Sequence, residues 1–201
     1  MTTKAMKSLL AALGREASHS LRRPAEPRAV MEEFCRAMSV RVERPIQLLF
    51  RAFPPEIPVS GMRLDCGDRS IIVVEEGTVP EAQLVILGHE LWHEEQGSCG
   101  HHALGATVAR ALTGDRTPEA LLRAARQVLA SEEVPREVCH TVAARSACDD
   151  DHEVDAETFG LLFAREVRTW MKGRYARGPV SPATVEGRIN LSLGNRGGRL
   201  L

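Results

Sequence analysis

The stretch from Pro80 to Gly97 constrains this chain more than any other, because its pattern suits only a helix. Leu84, Leu87 and Leu91 recur at helical spacing. Pro80 fits a first turn, where its missing N–H costs nothing, and Gly97 is a natural stop. Thr78 is read as the N-cap, with Glu81 three residues on as in a capping box. Inside this segment stands His89-Glu90-Leu91-Trp92-His93, an H-E-x-x-H pattern. On a helix His89 and His93 are one turn apart and project from the same face. Two neutral imidazoles so placed can bind one Zn²⁺. Glu90, beside the first of them, can take a proton from a water that the metal polarises.

A chain of 201 residues with 7 His meets H-E-x-x-H by accident about two times in a hundred. The motif therefore needs a third ligand from elsewhere, since catalytic zinc uses three protein groups and one open position. The run Glu153-Val154-Asp155-Ala156-Glu157-Thr158-Phe159-Gly160 is the best supplier. Glu153 and Glu157 are one turn apart, so Glu153 could bind the metal while Glu157 accepts the N–H of a ligating histidine. The alternative is a solvated acidic first turn, with Asp149, Asp150 and Asp151 facing the helix dipole. Asp155, His152 and His101 are further ligand candidates. Asp155 points to roughly the opposite side of that helix from Glu153. His101 would complete H-E-x-x-H-x-x-G-x-x-H, but Gly97 and His101 come one and two residues too late.

The remaining chain reads as one domain with a helical insertion. Thr3 to Ser18 and Arg28 to Met38 are expected helices. Val40 to Glu43, Ile46 to Phe50, Ser60 to Cys66 and Ile71 to Val74 are expected strands of a small sheet. Beyond Gly97 come a loop with Cys99, His101 and His102, helices within 107–146, a helix from about His152 to Met171, and a last helix from Ser181 to about Leu193. The fold class is thus α+β and mostly helical. A small N-terminal mixed sheet packs on the H-E-x-x-H helix (27–97), an insertion follows (107–146), and the third-ligand and C-terminal helices close the chain (152–193). Net charge is −1, so no bulk pull on nucleic acid or anionic membrane is implied. Five cysteines without a C-x-x-C pair suit reduced thiols in a cytoplasm. No stretch approaches the length of a membrane span.

Helix, small sheet, H-E-L-x-H helix, then E-x-D-A-x-x-F-G on a later helix resembles the ImmA/IrrE family of gluzincin-like metallopeptidases. The resemblance covers roughly Arg28 to Ala164 and is best at the two motifs. It implies that His89, His93 and Glu153 hold Zn²⁺, that Glu90 is the general base, and that Glu157 takes the place of the family's Asn or Asp. This chain departs from the pattern in Trp92, where a small residue is usual, in Asp155, which replaces a Glu, and in the long segment between the motifs. The resemblance further implies a protein substrate or partner: a helix-turn-helix repressor, or the antitoxin of a toxin–antitoxin pair. Two functions follow as expectations. One is peptide-bond hydrolysis, with substrate laid along the edge strand at Ser60 to Cys66. The other is a non-proteolytic toxin or regulator-binding protein that keeps the same fold; retention of Glu90 favours the enzyme, because a structural site needs no carboxylate there.

Overall fold

The computed structural model of the protein describes residues 3–53, 60–66, 68–97 and 150–173. The helices expected within 107–146 and at 181–193, and the loop carrying His101, lie outside these residues. What is described is an α+β arrangement of four helices and a small mixed sheet.

Helix α1 (Thr3–Ala17) buries Met6, Leu9, Leu13 and Ala17, a single stripe at helical spacing. Helix α2 opens with Pro27 in its first turn and runs to Val42. The strand expected at Val40 to Glu43 is therefore wrong. The β-branched Val40 and Val42 suggested it, yet Val42 is four residues past Met38 and continues α2's packed side, while Val40 is exposed. The helix stops only at Glu43, whose left-handed φ of 53° turns its N–H onto the Ser39 carbonyl.

Strands β1 (Ile46–Arg51), β2 (Gly61–Asp65) and β3 (Ser70–Glu75) form a sheet of order β1-β3-β2. The β1–β3 pair is parallel and the β2–β3 pair antiparallel. Ile71 to Val74 in the middle strand are wholly buried, as a strand covered on both faces requires. Cys66 donates its N–H to the Arg69 carbonyl at 2.9 Å and closes the β2–β3 hairpin. Phe50, Ile72 and Val74 share one hydrophobic core with the helices.

Helix α3 (Pro80–Gln96) has no polar face over most of its length: every residue from Ile86 to Glu94 is buried. It lies at the centre of the fold, against β2, β3, α2 and above all the next helix. Its N-cap is Val79 rather than Thr78, whose hydroxyl bonds instead to the Glu75 carbonyl. Gly97 ends it as expected, at φ 61°. Helix α4 (Asp150–Val167) continues into a 3₁₀ turn, Arg168–Trp170.

The α3–α4 crossing is set by two glycines. A Cβ on Gly88 would stand 2.7 Å from the Phe163 Cβ and 3.0 Å from the Gly160 Cα; one on Gly160 would stand 2.6 Å from the Val85 carbonyl oxygen. Glycine inside a helix costs about 1 kcal/mol against alanine, so two at one crossing mark a close backbone approach. Around them run aromatic contacts, Trp92 to Phe159 at 5.1 Å and Phe34 to Phe163 at 5.0 Å between ring centroids. Trp92 thus fills the interface between the two helices. Gly160→Ala should cost about 1–3 kcal/mol of stability through overpacking, lower Tm, and weaken metal uptake by moving α4 off α3. Gly14→Ala should act oppositely, raising stability by about 0.5–1 kcal/mol, because its Cβ meets only the Trp170 ring, at 3.7 Å. Thermal unfolding of the two variants checks both signs.

Candidate metal centre

Helix periodicity puts His89 and His93 on the side of α3 that faces the start of α4, and the glycine crossing brings Glu153 to them. The two Nε2 atoms are 3.0 Å apart. Glu153 sets Oε2 3.5 Å from His89 Nε2 and Oε1 3.3 Å from His93 Nε2. Both histidines are almost fully buried, and the Glu153 side chain is 14% exposed.

These three distances test whether the residues suit an ion. Ligands at about 2.0–2.2 Å from a tetrahedral zinc stand about 3.3 Å apart. The observed edges of the donor triangle, 3.0, 3.3 and 3.5 Å, match that spacing. One N–H···N hydrogen bond could join the two rings, but a single proton cannot use the lone pairs of all three groups; a cation can. His89, His93 and Glu153 could therefore hold a metal ion, and they form the one such group among the described residues. Asp155, half-buried, and His152, exposed, lie on the same helix outside that group. Glu157 stands one turn beyond Glu153 and is half-buried.

Glu90 is completely buried, and neither of its carboxylate oxygens has a hydrogen-bond partner among the described residues. Burial pushes its carboxyl up to about 8; the Arg63 guanidinium pulls it down, and the Glu153 and Glu94 carboxylates push it further up. An orphaned buried carboxylate is costly, and its place beside the donor triangle marks where a water or ion belongs.

One turn further along α3, Glu94 is the centre of a buried polar cluster absent from the sequence reading. Its Oε1 accepts from Arg44 Nη2 at 2.8 Å. Its Oε2 accepts from Arg63 Nη1 and from the Ser70 hydroxyl, each at 2.8 Å. Arg44 also reaches Asp65 at 3.0 Å and bonds to Ser70. The donors come from the turn just after α2, from β2 and from the start of β3. The available signal was Arg63 standing between Met62 and Leu64 in a strand whose neighbours are apolar.

In comparisons with known proteins, no family model, no curated protein and no solved structure matches the chain. The fold and the donor set define an α+β protein with a His-His-Glu group, its two histidines buried, that could hold a metal ion. No helix among the described residues is long and apolar enough to cross a membrane.

Removal of any of the three donors should abolish tight metal binding. His89→Ala, His93→Ala and Glu153→Ala should each lose more than the 10–100-fold in affinity that is typical of deleting an outer hydrogen-bond partner, whereas Asp155→Ala should lose little. Zn²⁺ titration followed by metal analysis of the purified variants decides. Retention by Glu153→Ala with loss by Asp155→Ala would move the third ligand.

Proposed function

We propose that the protein is a zinc metallopeptidase of the ImmA/IrrE kind, cleaving a peptide bond in a protein substrate, a helix-turn-helix repressor or an antitoxin. The observation that carries this reading is the meeting of His89, His93 and Glu153 at ligand spacing, with the buried Glu90 beside them. Two imidazoles and a carboxylate suit Zn²⁺. When bound, the ion supplies Lewis acidity that polarises water and the scissile carbonyl.

The chain's own residues do the rest. Glu90 takes the proton of the attacking water and returns it to the leaving amine. Its dry surroundings raise its basicity and strengthen its pull on that proton. Glu157 accepts the N–H of a ligating histidine and so fixes the ring. Strand β2 is bonded on one side to β3 and lies at the sheet edge among the described strands. It packs directly on α3, so a substrate strand added there runs past the metal helix.

The competing reading is a regulator-binding protein that uses the same fold without hydrolysis. What favours it is the closure of the site, whose two histidines are nearly inaccessible. The two readings part at Glu90. Glu90→Gln should keep the fold and the metal and lose cleavage by at least about 100-fold, because the amide cannot accept the proton. The measurement is cleavage of the product of the neighbouring gene, with metal content determined in parallel. A Glu90→Gln protein with full biological effect would establish the binding role instead.

A further inference from the structure

Helix α1 packs mainly on α2, and a second face of it looks across a cavity of about 570 Å³ to the end of α4. That volume is within the range of small-molecule sites, roughly 300–1,000 Å³. The α1 wall is Lys7, Leu10, Ala11 and Gly14, an i, i+3, i+4, i+7 set that shares one helix face. The small residues Ala11 and Gly14 keep the space open: a Cβ on Gly14 would meet nothing nearer than the Trp170 ring, at 3.7 Å. The floor is apolar, with Phe34 and Trp170 both buried. No residue of the cavity belongs to the metal centre. On α4 the cavity starts at Leu162, nine residues past Glu153, or about 14 Å along the helix.

The rim carries three cations, Lys7, Arg23 and Arg165, against one carboxylate, Glu166. This is a surplus of two positive charges in a chain whose net charge is −1. Glu166 is taken by Arg165, whose Nε and Nη2 both donate to its Oε1, at 3.2 and 3.1 Å. Lys7 has no hydrogen bond or ion pair among the described residues. Arg23 is held by contacts that leave most of its donors unused. Its guanidinium lies over the Trp170 ring, 3.3 Å from the centroid, a face contact that takes no N–H. Its Nη2 donates to the Ser18 hydroxyl at 2.8 Å. A planar fork of donors held in place suits the paired oxygens of an acidic head group. The apolar floor beside it suits a hydrocarbon or aromatic body. We propose that this cavity binds a small organic anion, its body on Phe34 and Trp170 and its acidic head on Arg23 and Lys7. Such a site depends neither on the metal nor on peptide hydrolysis.

The test uses the full-length protein and the fluorescence of 8-anilino-1-naphthalenesulfonate, a probe with an acidic head on an aromatic body. Wild type should bind the probe saturably, and octanoate should displace it. Neither inorganic phosphate, a head without a body, nor 1-octanol, a body without a charge, should displace it at the same concentration. Removing both cations in K7Q/R23Q should weaken probe binding by about tenfold or more, the scale of one hydrogen bond to a charged group. G14L puts a side chain into the cavity, keeps its charges, and should lose binding. K4Q removes an α1 cation that lies outside the cavity. It should stay within about twofold of wild type, because a charge at that remove is screened. Wild-type affinity in K7Q/R23Q or in G14L would overturn the inference. So would the absence of saturable probe binding, or phosphate or 1-octanol displacing the probe as well as octanoate does. A loss in K4Q as large as in K7Q/R23Q would reduce the attraction to bulk charge and overturn it too. If K7Q/R23Q or G14L does not fold, K7Q alone decides: unchanged affinity overturns, a clear loss supports.

Discussion

The close crossing of α3 and α4 is the contact on which the rest depends. Two histidines on one helix make half a metal site at most. The other donor comes from Glu153, and its reach is short. Only because Gly88 and Gly160 present no side chains can the two backbones approach closely enough for Glu153 to come within 3.5 Å of both rings. The aromatic packing of Trp92 on Phe159, and of Phe163 on Phe34, holds that crossing from the sides. The ends are tied as well: Ala25 and Met171 bridge the segment before α2 to the end of α4, with Ala25 donating to the Trp170 carbonyl at 2.8 Å.

A second constraint follows from the central place of α3. A helix buried on every side cannot leave its charged residues in water, yet α3 carries Glu90, Glu94 and two histidines in its interior stretch. The fold answers in two ways. Glu94 is matched by three donors, from the turn after α2, from β2 and from β3, as a buried carboxylate must be. Neither oxygen of Glu90 has a hydrogen-bond partner among the described residues, and burial pushes its carboxyl up to about 8. Two carboxylates one turn apart on the same helix are thus given opposite environments, one saturated and one without a hydrogen-bond partner among the described residues.

Much of the fold was legible locally. To within a residue, the bounds of α1 and of the three strands, the start of α2 and the glycine stop of α3 follow from periodicity and turn chemistry, because these are contests between neighbours along the chain. The misread stretch, Val40 to Glu43, shows the limit of such reading: its β-branched residues suggest a strand, but packing of Val42 onto the core keeps the helix going. Thr78 shows another. Its hydroxyl had a better partner in the Glu75 carbonyl than in the helix it was expected to cap.

The sequence by itself determined that His89 and His93 share a helix face and that Glu153 and Glu157 share another, since a helical repeat dictates both. It also singled out Glu153 on the ground that Asp155 points the other way round the helix. What only the tertiary structure decided is that the two faces meet at ligand distance, with both histidines out of water. It likewise decided that Arg63, Arg44 and Ser70 converge on Glu94. Those facts depend on which backbones approach and how deeply each charge is buried. Both are properties of three-dimensional packing, which spacing along the chain does not encode.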